Sequence, residues 1–369
     1  MNRFLKSIQR RFWRGYTRGA ARLHELTYLF WETTTACNLS CRHCGTSCAP
    51  TSALPDELST AEVKAAFDTI IADFDPKRIT VAVTGGEPLL RADVFEVAAH
   101  FASHGMRWGM VTNGLLMTDQ AIDLAHKAGM GSVAVSLDGL KPHHEFLRGK
   151  GTFEKTADAV RRLKQSGHFE IVEVISCPTN QMIDDLDAVY EYMLTLGLDQ
   201  WRVLPLAPIG RCREHPELLL SPANWVKLLD FLREKRRVIN PPLTVTLDEE
   251  GFLGEPYERE VREIPYFCFA GIHAASILAD GSVSACPSVC RSFIQGNIRE
   301  RRFSEIWENE FQVFRDRRWM KQGECASCPD FADCLGNSMH LWQDLHSGPE
   351  LCHLKLIKEG LEAKQRTRN

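Results

Sequence analysis

Residues 34–44 read Thr34-Thr35-Ala36-Cys37-Asn38-Leu39-Ser40-Cys41-Arg42-His43-Cys44, three thiols in a C-x3-C-x2-C loop directly after the apolar run 28–32. Such a loop can wrap three thiolates around one cluster and leave one iron without a protein ligand. Two other readings fit the spacing. Zinc sites usually take four ligands and CxxC pairs. A closed 4Fe–4S cluster takes a fourth cysteine, and Cys48 is in reach on spacing alone. The distinction matters because an open iron can coordinate a small molecule and pass it an electron.

Outward from this loop, short apolar segments at 28–32, 79–84, 107–112, 132–137, 171–176 and 200–205 alternate with stretches of helical length and pattern at 61–72, 93–103, 118–128, 153–165 and 184–196. Alternation at this spacing predicts repeated βα units around a parallel sheet. Six units make a partial (β/α)6 TIM-like barrel, an α/β fold in which loops after the strand C-termini carry the chemistry. A helix is expected over 221–236 and a linker at Pro241-Pro242. Beyond them the chain is rich in loops and thiols, with a β-hairpin expected around Asp280-Gly281. The predicted organisation is a basic amphipathic helix at 1–26, the barrel at 27–240 and a C-terminal unit at 241–369.

The strand ends carry further motifs. Gly85-Gly86-Glu87-Pro88 ends the second strand, Thr112-Asn113-Gly114 the third and Ser136-Leu137-Asp138-Gly139 the fourth, with Arg148-Gly149 following. Together with the cysteine loop, this set resembles the radical S-adenosylmethionine (SAM) superfamily. The resemblance implies that Cys37, Cys41 and Cys44 hold a 4Fe–4S cluster and that its fourth iron binds the amino and carboxylate groups of SAM. Gly85 and Gly86 would let the backbone approach the methionyl ammonium, since no Cβ intervenes. Glu87 would bind that ammonium or fix the turn. Asn113, Ser136 and Asp138 would line the cofactor site, Ser136 bonding the ribose or methionyl end; capping of the next segment is the alternative role for Asp138. Arg148 would meet the carboxylate. His43 sits where relatives place an aromatic residue against adenine, and Leu204 would pack on that ring. Cys48 is not expected to be a ligand. The implied chemistry is reductive cleavage of SAM to a 5′-deoxyadenosyl radical that abstracts hydrogen from substrate.

A second thiol-rich region holds Cys268, Cys286, Cys290, Cys325, Cys328, Cys334 and Cys352. It resembles the SPASM extension, a loop-rich, twitch-like module that carries auxiliary 4Fe–4S clusters. By that pattern Cys325, Cys328, Cys334 and Cys352 complete a distal cluster. The proximal cluster expects a thiol where Ser338 stands, so Cys268, Cys286 and Cys290 form either an incomplete cluster or none. A zinc ribbon is the alternative for the whole region.

Thirteen cysteines in 369 residues suit a reducing compartment, where clustered thiols serve metals or catalysis. A net charge of −4 excludes a molecule that binds nucleic acid electrostatically as a whole. No apolar run reaches membrane-span length and no signal-peptide core follows the basic N-terminus, so a cytoplasmic location is expected. Residues 1–24 carry seven Lys or Arg and no acid, with Phe4, Leu5, Ile8, Phe12, Trp13 and Tyr16 at roughly helical intervals. A helix packed on the domain edge is the expectation, ahead of contact with an acidic partner or a membrane surface.

The predicted activity is radical modification of a peptide or protein substrate, of the ribosomal-peptide maturation type. Pro287 directly after Cys286 argues against sulfatase maturation, where relatives carry an aspartate base. Few residues precede the first strand, so leader recognition would need a separate peptide-recognition protein or the barrel itself. An electron donor such as flavodoxin or ferredoxin is implied. The alternatives are a haem or other small-molecule cofactor maturase and a non-catalytic zinc-binding interaction protein.

Overall fold

The computed structural model describes residues 3–248 and 251–366. Its centre is one ten-stranded sheet. In chain order the strands are β1 (Tyr28–Glu32), β2 (Thr80–Thr84), β3 (Arg107–Thr112), β4 (Ser132–Ser136), β5 (Ile171–Ser176), β6 (Gln200–Val203), β7 (Thr244–Leu247), β8 (Ala274–Ile277), β9 (Ser282–Ser284) and β10 (Gly296–Asn297). Their spatial order is β10-β9-β8-β1-β2-β3-β4-β5-β6-β7. Strands β1 to β7 are parallel neighbours, β8 joins β1 in parallel, and β9 and β10 turn back antiparallel.

The helices are α1 (Arg3–Leu23), α2 (Thr60–Asp73), α3 (Val94–Ser103), α4 (Asp119–Lys127), α5 (Lys141–Arg148), α6 (Phe153–Ser166), α7 (Leu186–Thr195) and α8 (Pro222–Arg236), followed by short helical turns, a helix over Phe303–Glu310 and a last helix over His353–Arg366. Local chemistry sets their starts. Ser59 and Glu62 form a reciprocal capping box on α2, and Thr118 caps α4 by accepting from the Ala121 amide. In β1, Leu29 and Trp31 are buried against the helices, where Trp31 meets Phe67 and Phe101 edge-on. The alternate residues Tyr28, Phe30 and Glu32 turn the other way and line a cavity.

The six expected strands are present, and the barrel sheet continues past them. A seventh parallel strand, β7, pairs with β6 beyond the proline pair, and β8 pairs with β1. Both lie after residue 240, so the C-terminal region shares the barrel's sheet. The hairpin expected around Asp280-Gly281 forms from β8 and β9, and its first strand is also a barrel edge. The last helix packs on α8, with the Trp225 and His353 rings 5.1 Å apart. Helix α1 lies against the C-terminal region through Trp13 and Ala20, while the side chains of Phe4 and Leu5 lie outside the described residues. Among the described residues, no helix is long and apolar enough to cross a membrane.

Candidate iron–sulfur and cofactor site

Strand ends and the cysteine loop converge on one cavity of about 860 Å³. Cys37, Cys41, His43, Cys44, Gly85, Gly86, Asn113, Ser136, Arg148 and Leu204 all line it, as do Cys268, Cys286 and Ser338 from the C-terminal region.

The cysteine loop is held from two sides. The Gly86 amide donates to the Thr34 carbonyl at 2.7 Å and the Glu87 amide to that of Ala36 at 2.9 Å. A Cβ on Gly86 would lie 2.0 Å from the Ala36 oxygen, and one on Gly85, whose φ is +143°, would lie 2.6 Å from the Thr34 oxygen. Within the protein, then, these glycines are required by the close approach of the loop that carries the thiols. From the far side Arg211 donates to the carbonyls of Cys41 at 2.7 Å and Cys48 at 2.8 Å. Arg211 and its neighbour Gly210 were not singled out from the sequence, although they follow the sixth strand where site residues are expected.

The sulfurs have nitrogen donors close by. Asn113 Nδ2 is 3.9 Å from Cys37 Sγ and Arg148 Nη1 is 3.9 Å from Cys41 Sγ. Burial pushes the Cys37 thiol up to about 11 and raises that of Cys41, which the Arg148 charge partly offsets. Cys44 is lowered to about 5 by its hydrogen bond with Cys48, whose own thiol is raised by the same contact. Cys48 is buried and also meets Thr46 Oγ1 at 3.2 Å.

Two residues expected to touch the cofactor do not reach the cavity. Glu87 is fully buried and its oxygens accept from Thr112 Oγ1 at 2.8 Å, the Asn113 amide at 2.9 Å and the Leu89 amide at 3.3 Å. It ties the second strand end to the third. Asp138 is fully buried too, accepting from Arg148 Nε at 2.6 Å and the Cys177 amide at 2.8 Å. Of its two expected roles Glu87 takes the turn-fixing one, and neither carboxylate faces the cavity: both organise the wall from behind. The Arg148 charge in turn holds the Asp138 carboxyl well below the usual range despite its burial.

His43 Nε2 lies 3.3 Å from both Arg148 Nη2 and Asp138 Oδ2, and burial lowers its ring to about 4. It is neutral at ordinary pH. Its Nδ1 is buried without a hydrogen-bond partner. Ligand atoms of His43, Asp138 and Cys177 lie within 4.8 Å of one another, but the Arg148 guanidinium already supplies the cation there.

Among the described residues no three thiols come that close. In the C-terminal region Cys325 is pushed up to about 11 and Cys334 to about 12 by burial, each also raised by neighbouring thiols including Cys352 and Cys328. Cys268 and Cys286 face the main cavity, whereas Cys290 packs against the core beside it. Ser338 is buried and shares a 2.7 Å hydrogen bond with the Tyr266 hydroxyl.

Comparison with known proteins bears on these thiol sets. The family model of the radical SAM superfamily matches residues 31–193, and that of the SPASM iron–sulfur cluster-binding domain matches residues 268–329. An AdoMet-dependent heme synthase of Methanosarcina barkeri is 32% identical over 324 residues, covering 83% of this chain and 89% of the relative. The mycofactocin maturase MftC of Mycolicibacterium smegmatis is 30% identical, covering 84% and 78%. In fold the chain is similar to anSMEcpe with bound AdoMet and Cp18Cys peptide, with a TM-score of 0.70 at 21% identity and coverage of 92% and 97%. It is also similar to Streptococcus suis SuiB bound to S-adenosylmethionine, with a TM-score of 0.66 at 15% identity and coverage of 90% and 74%. These matches set aside the non-catalytic zinc alternative. The chain belongs to the radical SAM superfamily, as an enzyme of radical chemistry with a C-terminal SPASM-type domain that works with 4Fe–4S clusters and S-adenosylmethionine.

Proposed function

We propose that Cys37, Cys41 and Cys44 hold the SAM-binding cluster with one iron open, and that the substrate is a peptide or protein. Once bound, the cluster and SAM supply a reducing electron and a hydrogen-abstracting carbon radical. The chain's own residues bind and orient. Gly85 and Gly86 present bare backbone, Asn113 and Arg148 direct N–H groups toward the sulfurs, and Ser136, His43 and Leu204 form the wall where SAM would lie. Cys325, Cys328, Cys334 and Cys352 are assigned to an auxiliary cluster, and Cys268 and Cys286, with Cys290 behind them, to a second and incomplete one. The reaction requires an external one-electron donor such as flavodoxin or ferredoxin.

One observation carries the choice of a peptide. The cavity wall has two arginines and, among the described residues, no lysine, and both arginines are already paired. Arg148 is bonded to Asp138, and Arg202 is bonded to Glu173 and lies 3.6 Å from Asp248. A tetrapyrrole dense in carboxylates is favoured by free cations, and beside the paired arginines this wall carries, among the described residues, only the histidines His43, His273 and His340. A peptide segment needs apolar surface and scattered polar groups, which Phe30, Phe269, Ile209 and Met339 provide beside Glu32 and Ser136. The 32% likeness to a heme synthase favours a second reading, maturation of a haem precursor or another small molecule.

Reconstituted protein incubated with dithionite, SAM and a panel of candidate precursor peptides, or with an iron porphyrin, separates the two. Mass spectrometry is expected to show a changed peptide mass and an unchanged porphyrin. A changed porphyrin with every peptide intact would overturn the peptide reading.

A further inference from the structure

Helix α1 is laid on the protein by one face. Trp13, Ala20 and Ala21 pack with Phe267, Phe269, Ile272 and Leu335. Arg14 grips Asp333 through bonds of 2.7 and 2.9 Å, and Arg10 lies 3.7 Å from Glu255. Packing on the domain edge, the expectation from sequence, accounts for this face alone.

The opposite face is apolar and bare. Ile8, Phe12, Tyr16 and Leu23 are 49%, 76%, 45% and 70% exposed. Spaced four, four and seven residues apart, they form one stripe at 3.6 residues per turn. Gly15 and Gly19 fall in the same stripe, with open space where a Cβ would stand. Arg11, Arg18 and Arg22 are exposed along its flank and, among the described residues, make no ion pair with a carboxylate. Arg18 Nε donates to the Arg14 carbonyl of its own helix at 3.0 Å.

An apolar stripe edged by unpaired guanidinium groups complements a surface that is apolar within and negative at its rim. A second copy of the same face would set cation against cation. We propose that α1 docks the protein on an anionic lipid bilayer, with Phe12 and its neighbours in the acyl boundary and Arg11, Arg18 and Arg22 among the phosphates. The attachment is peripheral. Phe269 packs under the inward face of α1 and also lines the cavity, so the docked helix rests directly on the cavity wall. This inference stands on the helix and is independent of the peptide reading.

The test floats full-length holoprotein with vesicles of phosphatidylcholine alone and with vesicles that also contain phosphatidylglycerol. Recovery is expected to be about tenfold higher with the anionic vesicles and to fall as salt rises. Phe12→Ser/Leu23→Ser and Arg11→Glu/Arg18→Glu/Arg22→Glu should each lose most of that binding, with far-UV circular dichroism and 5′-deoxyadenosine formation unchanged. Equal recovery on neutral and anionic vesicles, or full binding by both variants, would overturn the proposal. So would a dimer, seen by light scattering, that Phe12→Ser/Leu23→Ser dissociates, since the stripe would then be a self-interface.

Discussion

Arg148 Nε donates to Asp138 Oδ2 at 2.6 Å, joining the last residue of α5, which lines the cavity, to a fully buried carboxylate just past the end of the fourth strand. The pair sets the guanidinium so that its remaining nitrogens face Cys41 and His43. A residue bound to the cofactor side of the wall is thus positioned from behind by a carboxylate that never meets the cavity.

Arg148→Met takes the permanent cation away from the buried Asp138 carboxylate, leaving it the Cys177 amide and the His43 ring, which should cost about 3–5 kcal/mol of unfolding free energy. Asp138→Asn/Arg148→Met should recover much of that loss. Urea denaturation of both variants checks this, and a loss under about 1 kcal/mol in the single variant would contradict it.

Gly86→Ala places a methyl group 2.0 Å from the Ala36 oxygen. The cysteine loop must shift, so the variant should fold while binding about four fewer irons per chain and releasing no 5′-deoxyadenosine. Iron and sulfide analysis against wild type reads the effect.

The motif residues were legible in the sequence, but the direction of their side chains was not. The thiols, the glycine pair, Ser136 and Arg148 do meet on one cavity wall. Glu87 and Asp138 sit in the same motifs and point inward, because each ties neighbouring strand ends and so depends on a partner far along the chain. Likewise β7 was hidden by its length of four residues and the prolines before it. The pairing of β8 with β1 joins segments more than 240 residues apart, which local periodicity cannot register. Arg211 was not singled out from the sequence, because only the distant loop it bonds gives it meaning.

Glu32 lines the cavity, accepts from the Ala279 amide at 3.1 Å and is pushed up to about 7 by burial. A raised carboxyl keeps its proton in the fold after the unfolded chain has lost it. Stability from this group is therefore complete below its ordinary value of 4.5 and is lost as pH rises through 7. Wild type should lose up to about 3 kcal/mol relative to Glu32→Gln between about pH 4.5 and 8. Denaturation at several pH values measures the difference, and parallel profiles would contradict it.

Cys325→Ala/Cys328→Ala should remove about four irons per chain and stop substrate turnover while SAM cleavage continues. Unchanged iron and turnover would refute the auxiliary-cluster assignment.

The most direct test quantifies 5′-deoxyadenosine from dithionite-reduced, reconstituted protein with SAM, comparing wild type, Cys48→Ala and the triple variant Cys37→Ala/Cys41→Ala/Cys44→Ala. The nucleoside should form with wild type and Cys48→Ala and be absent from the triple variant. Its formation by the triple variant, or its loss on changing Cys48 alone, would contradict a three-thiolate cluster with one open iron.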